Sequence, residues 1–441
     1  MSVTSESAQI SVVEQSTMAR VTARLVPFLI ICYFVAYLDR VNVGFAALTM
    51  NKDLGLSASA FGLGAGIFFL TYFIFEVPSN LFLERFGARK WIARIMLSWG
   101  ILSGAMAFIG GETSFYVVRL LLGAAEAGFF PGIIFYLTLW FPAAYRARIV
   151  GYFMAAIPAS TVIGAPISGY ILGLDGVLGF RGWQWLFILE ALPAVLLSFV
   201  VFFYLTDRPA EARWLAADQR EWLGARLDFE RRQRETARHF TVKQALLNPH
   251  VRALALVYFG AVAANYGVSF FLPQIIKAFG LSNAMTGWVT AIPYAIGIVA
   301  MVYWGRHSDR HRERKIHCGA ALIVAAAGIA GCAVFDDPIL KVMSISVGGA
   351  GIFGCLPVFW TLPTAFLTGA AAAGGIAIIN AIGNLAGFAG PYVMGWLKDA
   401  TGDFAAGLLT IAGAALVAAF IVFILHHDTR LELAPEHQPA E

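Results

Sequence analysis

Six ionisable residues stand inside stretches of sequence that are otherwise apolar: Asp39, Arg40, Glu76, Arg119, Glu126 and Glu190. An ionisable group in such a setting costs about 2.5–3.5 kcal/mol on insertion scales and marks a functional site by default. The residue types point to anion and proton chemistry. A guanidinium stays charged when buried and forks onto a carboxylate. A carboxyl group in apolar surroundings can take up and release a proton near the working pH. Arg119 and Glu126 are seven residues apart, so on a helix they share a face about 10 Å apart along the axis. Asp39 and Arg40 fall at a depth between them, which allows four charges of alternating sign to meet in one layer. With all six groups ionised the sum is −2, and protonating two acids brings it to zero. A static buried ion-pair cluster tying helices together is the competing reading. Glu190, beside Trp183 and Trp185, reads as structural, and Glu76, close before Pro78, as either a gate or a packing group.

The elements that must position these groups are membrane helices. Of 441 residues, 59% are hydrophobic and only 13% charged, about half the charge of an ordinary soluble domain. A chain so poor in charge cannot coat a string of soluble domains. About 20 mostly apolar residues cross a hydrocarbon core of about 30 Å. Twelve such runs occur, near 25–48, 59–83, 91–110, 114–140, 149–173, 184–205, 252–276, 284–304, 317–335, 342–362, 372–396 and 404–425. The strand alternation of a membrane barrel is absent, and residues 1–24 lack the layout of a removable signal peptide. The expected fold is an all-α membrane protein. A tail (1–24), a six-helix bundle (25–205), a polar linker (206–251), a second bundle (252–425) and a tail (426–441) follow in order.

Basic residues set the orientation. Of 31, the tails and even-to-odd loops hold 24, the opposite loops hold five, and Arg40 and Arg119 lie within spans. Both termini are therefore expected in the cytoplasm. The Arg-rich 206–251 stretch reads as a solvated linker with some amphipathic helix, lying on the membrane or on the protein body. The formal charge of +4 and the scattered basic residues argue against nucleic-acid binding. Cys32, Cys318, Cys332 and Cys355 read as small buried hydrophobes. No HExxH, His/Asp cluster or suitably placed GxSxG supports a membrane-embedded enzyme.

The chain also repeats itself. Shifted by 225 residues, Tyr33-Phe34 falls on Tyr258-Phe259, Lys52 on Lys277, Gly55-Leu56-Ser57 on Gly280-Leu281-Ser282 and Pro166 on Pro391. Glu84-Arg85 falls on Asp309-Arg310 and Arg89-Lys90 on Arg314-Lys315. Two parallel six-helix halves place a site at their interface and let one half rock against the other. At the same shift Asp39 meets Ala264, Arg40 meets Asn265, Glu76 meets Met301 and Arg119 meets Ser344. The ion chemistry is thus confined to the first half. The second half offers only His317 near a membrane boundary.

The charged loops resemble GxxxDRxGRR/K, the loop signature of the major facilitator superfamily. The second copy fits well, and the first has Asn80 for Gly and Glu84 for Asp. The segments YLDRVNVGFAALTMNKDLG, FGLGAGIFFLTYFIFEVPSNL, RLLLGAAEAGFFPGIIFYLTLWFP and INAIGNLAGFAGP resemble the anion:cation symporter family within that superfamily, over about residues 20–425. The first two look most like its bacterial tartrate transporters.

The resemblance implies two six-helix halves related by a pseudo-twofold repeat. It implies proton roles for Asp39 and Glu126, a substrate carboxylate on Arg40 and coupling through Arg119. Tyr72 would add a hydroxyl to the same cavity. The second half would supply Asn380 and Asn384, at i and i+4 on one helix, with Asn265, Tyr266, Gln274, Trp360 and Thr361 as further candidates. Glu84, Arg85, Arg89, Asp309, Arg310 and Arg314 would latch the cytoplasmic face. The expected protein imports a small organic anion such as tartrate with protons across a bacterial inner membrane. It would work as a monomer, with the proton gradient in place of a cofactor and the lipid bilayer as its surroundings. An aromatic carboxylate, phthalate- or hydroxyphenylacetate-like, or export of an organic anion, is the alternative.

Overall fold

The computed structural model describes residues 3–235, 247–311, 313–363 and 370–425. Part of the expected linker (236–246) and the tail 426–441 lie outside the described residues. Among the described residues, twelve helical spans are long and apolar enough to cross a membrane. In hydrocarbon every backbone N–H and C=O must be satisfied within its own segment, which makes the helix obligatory for such runs. Ends are set locally: Ser57, Asn248 and Asp337 cap the helices that follow them with side-chain oxygens on backbone N–H groups, the preferred N-cap chemistry.

The first half comprises α1 (Val3–Leu54), α2 (Ala58–Phe86), α3 (Ala88–Ala105), α4 (Glu112–Glu126), α5 (Phe129–Thr138), α6 (Ala143–Ile171) and α7 (Gly182–Tyr204). After the linker helix α8 (Ala217–Glu235), the second half comprises α9 (Pro249–Lys277), α10 (Asn283–His311), α11 (Lys315–Val334), α12 (Pro338–Phe359), α13 (Ala370–Thr401) and α14 (Ala405–Ile424).

Two elements depart from the sequence reading. The first helix starts well before residue 25, because Met18, Val21 and Leu25 form a buried stripe at helical spacing where α1 meets α8. The fourth span is broken. Ala127 leaves helical geometry and Gly128 takes φ +85°, dividing α4 from α5. A side chain there would be strained and would strike Ser79.

The halves meet along three helix pairs: α2 with α13, α6 with α10, and α1 with α9. Their closest packing is concentrated where α1 ends and α2 begins. A Cβ on Gly62 would lie 2.3 Å from the carbonyl oxygen of Pro391, and one on Gly395 2.1 Å from that of Ala58. Likewise Gly169 abuts Asn283, and Gly287 abuts Ala165. The Asp399 carboxylate, near the end of α13, crosses to cap α2. It accepts hydrogen bonds from the N–H groups of Ala58 (3.1 Å) and Ser59 (2.7 Å). At the opposite end α8 is strapped to the first half. Arg146 pairs with Glu230 at 2.7 Å, Arg20 donates to Gln219, and Trp140 stacks on Trp214.

Asp399 ties the two halves through a carboxylate on a helix N-terminus, an arrangement worth about 1 kcal/mol. Replacing Asp399 by Asn should therefore increase the population open at this end about fivefold. Spin-label distances between Lys52 and Ala400 read this directly, and an unchanged distribution would refute it.

Candidate functional site

Residues adjacent on a helix point about 100° apart, and this separates Asp39 from Arg40. Arg40 turns toward the second half. Its guanidinium forms an ion pair with Glu126, donates to the Tyr266 hydroxyl at 3.1 Å, and lies against the rings of Tyr72 (5.3 Å) and Phe68 (5.4 Å). Its Nε–H is buried without a partner. The Arg40 side chain keeps 12% of its surface exposed, whereas Glu126 keeps 1%. Arg40 is thus the more accessible member of the pair.

Asp39 turns into the first half. It accepts hydrogen bonds from Trp99 Nε1 (2.8 Å) and the Ser103 hydroxyl (3.2 Å), both on α3. Glu190 sits within electrostatic range of it and accepts from Ser168 at 2.6 Å. Asp39 therefore makes no ion pair to a cation among the described residues, while it stays within electrostatic range of Glu126. The expected four groups share a region without forming one alternating chain of ion pairs.

Arg119 completes the layer in an unexpected way. It is 1% exposed and donates to two main-chain carbonyls of α2, Gly64 (3.1 Å) and Ala65 (2.8 Å), with Phe68 beneath it. The close approach of α2 and α4 makes this possible. A Cβ on Gly64 would strike Phe115, and one on Gly123 would strike the Phe68 carbonyl. Glu126 feels Arg119 as well as Arg40. It closes α4 immediately before the Ala127–Gly128 break, so its position is fixed by a helix end instead of a helix interior.

The second half contributes neutral polar groups. Asn265, the repeat mate of Arg40, donates to the Tyr37 hydroxyl at 3.1 Å. Asn380 donates to Glu76 Oε1 at 3.3 Å across the halves. Asn384 is half-buried one turn further along α13. Trp360 packs edge-on against Tyr258 at 4.8 Å. Thr361 is half-buried beside it, its hydroxyl donating to the Val358 carbonyl, and Gln274 has a buried amide nitrogen without a partner. Tyr72 is buried against Arg40.

The signature loops lie at the α8 end. Arg89 pairs with Asp207, which also accepts from the Arg89 main-chain N–H at 2.8 Å. Arg314 pairs with Asp309 and donates to Ser308. Glu84, Arg85 and Arg310 are exposed. Asp207 and Asp399 escaped the sequence reading. Asp399 carries a usable signal, since an acid in the last turn opposes its own helix dipole and so serves another helix. Among the described residues, no group of three potential ligands is placed to hold a metal ion.

Comparison with known proteins agrees with this architecture. The family model of the Major Facilitator Superfamily matches residues 29–391 and 254–439. Two Agrobacterium vitis proteins, provisionally named tartrate transporters, are each 52% identical over 93% of this chain, which covers 92% and 95% of them. A quinolone resistance transporter of Acinetobacter baumannii is 42% identical over 94% of the chain and 95% of its own length. Among solved structures, a bacterial homologue of the human lysosomal transporter Spinster superposes with a TM-score of 0.76 at 16% identity, over 92% of this chain and 96% of that one. Twelve spans among the described residues, the family model that matches most of the chain and the relatives at 52% identity lead to one assignment: the chain belongs to the Major Facilitator Superfamily.

Proposed function

We propose that this transporter is a symporter that carries a small organic carboxylate, tartrate or a related hydroxy or sugar acid, inward with protons. The observation that carries the reading is the Arg40–Glu126 pair, in which the acid is buried and the base keeps a small accessible surface. A buried guanidinium must be compensated, because breaking such a pair costs about 3–5 kcal/mol. With Glu126 ionised, Arg40 is already neutralised and offers little to an anion. A proton on Glu126 releases Arg40, and a carboxylate can then take its place with the bidentate geometry guanidinium favours. The spare Nε–H of Arg40 and the Tyr266 hydroxyl stand ready as additional donors. Proton and anion thus bind together or not at all. That is the thermodynamic content of symport.

Alternating access follows from the two halves. The tight glycine packing holds the end away from α8 together, and on this reading the halves part at the α8 end, the side the positive-inside pattern assigns to the cytoplasm. On this reading the protein is a bacterial inner-membrane transporter with both termini inside, working as a monomer. Asp39, hydrogen-bonded to Trp99 and Ser103 and within electrostatic range of Glu126, is assigned a proton role alongside Glu126 without contact to the anion. Arg119, tied to α2 and within range of Glu126, is assigned the coupling between the protonated acid and α2. Asn265, Asn380, Asn384 and Trp360 are assigned to the far side of the substrate, and the signature loops to a latch in the opposite conformation. The rings of Tyr37, Phe68, Tyr72 and Tyr266 around Arg40 also support a second reading, an aromatic carboxylate. The relative named for quinolone resistance keeps an organic-anion exporter in view.

Glu126→Gln should retain exchange of labelled tartrate across proteoliposomes while losing accumulation driven by an imposed pH gradient. Normal pH-driven accumulation would refute the role given to Glu126. Arg40→Lys keeps the charge but loses the fork, and should weaken tartrate binding about ten- to hundredfold. Calorimetry on the purified protein reads this, and unchanged affinity would contradict it.

A further inference from the structure

Glu76 sits in the wrong place for a packing residue. The α2–α13 interface runs as an antiparallel ladder: Gly62 against Pro391, Gly66 against Phe388 and Phe69 against Gly387. The next rungs in this register pair Tyr72 with Asn384 and Glu76 with Asn380, and the last pair is joined by a hydrogen bond of 3.3 Å. Glu76 is half-buried on the inter-half face. The groups that face it are Arg40 on α1, Tyr258 on α9, Asn380 on α13 and Tyr72 on its own helix. Arg40 is the one cation among them, and it is the same cation that Glu126 holds.

The charge count of the site then has a specific form. Arg40 and Arg119 supply two positive charges, and Glu126 and Glu76 supply two negative ones. Asp39 and Glu190 take their hydrogen bonds within the first half, from Trp99 and Ser103 on α3 and from Ser168 on α6. They are left out of the count because neither pairs with Arg40 or Arg119, although Asp39 lies within electrostatic range of Glu126. With both acids ionised the site is neutral. A proton on one acid leaves a net charge of +1, matched to a monocarboxylate. A proton on each leaves +2, matched to a dicarboxylate. We propose that Glu76 is a specificity-determining residue of the substrate site, and that its proton, added to that of Glu126, is what admits a dianion. Only the protonation of two carboxylates is involved, with no covalent step. The inference rests on the proposed role of Arg40 as the carboxylate receptor, and it deepens that role by naming the substrate class as a dicarboxylate. Asn380 suits either state of Glu76, since its amide can donate to the ionised acid and accept from the protonated one.

The test uses the full-length purified protein, with tartrate as the dianionic probe and glycerate as the monoanionic one. Affinities are measured at pH 6 and pH 8, together with proton uptake on binding in buffers of different ionisation enthalpy. In the unaltered protein, raising the pH should weaken tartrate more than glycerate. Glu76→Gln removes one negative charge while keeping the size and the bond to Asn380. It should raise the tartrate-to-glycerate affinity ratio at pH 8 by about tenfold, the effect of one uncompensated charge at close range, and lower proton uptake per tartrate by about one. Glu76→Asp keeps the charge and should keep the ratio. A Glu76→Gln ratio equal to that of the unaltered protein, with Arg40→Lys still weakening both acids, overturns the role of Glu76 alone. Failure of both acids to bind the unaltered protein, or full binding by Arg40→Lys, overturns the carboxylate reading beneath it.

Discussion

A carboxylate and a guanidinium held in a nearly dry bundle can be separated only if something replaces each partner. Arg40 and Glu126 are placed under that constraint, one with a small accessible surface and the other buried. The desolvation of either ion alone outweighs most single interactions in a protein. A proton on the acid and an anion on the base, arriving together, restore neutrality without leaving a charge unpaired. On the proposed function, this exclusion links proton to anion, and Arg119 links the protonated acid to α2.

The surrounding structure serves to keep that pair where it is. Glycines at 64 and 123 let α2 and α4 approach until Arg119 can reach carbonyls of α2. Gly128 supplies the positive φ that ends α4 just after Glu126. The second half carries no charge at the repeat positions: Asn265 and Ser344 stand for Arg40 and Arg119, and Ala264 and Met301 for Asp39 and Glu76. A charged copy on both sides would lock the halves together through ion pairs. A neutral one lets them part at the cost of ordinary hydrogen bonds.

Much of this was legible in the sequence because membrane insertion makes charge conspicuous. Arg40, Arg119, Glu126 and Glu76 could be picked out as exceptions in apolar runs, and the repeat located the interface. What failed was side-chain direction. Depth along a helix follows from counting residues, but counting does not show that Asp39, though within electrostatic range of Glu126, accepts its hydrogen bonds from Trp99 and Ser103 and from neither arginine. The partner of Arg119 was also hidden, since a main-chain carbonyl has no letter in the sequence. The break at Gly128 looked like one more glycine in a glycine-rich helix, and only its φ and the contact with Ser79 give it meaning. Asp207 lies near a span end, where an acid is unremarkable until its partner is seen, whereas Asp399 stands out only by opposing the dipole of its own helix.

The central claim is that anion and proton bind by the same displacement at Arg40. The measurement that meets it most directly is the dissociation constant of tartrate for the purified protein across pH 5 to 9. Linked binding predicts that the constant rises with pH, approaching a factor of about ten per pH unit for each proton taken up. A constant that stays flat over that range would contradict the account.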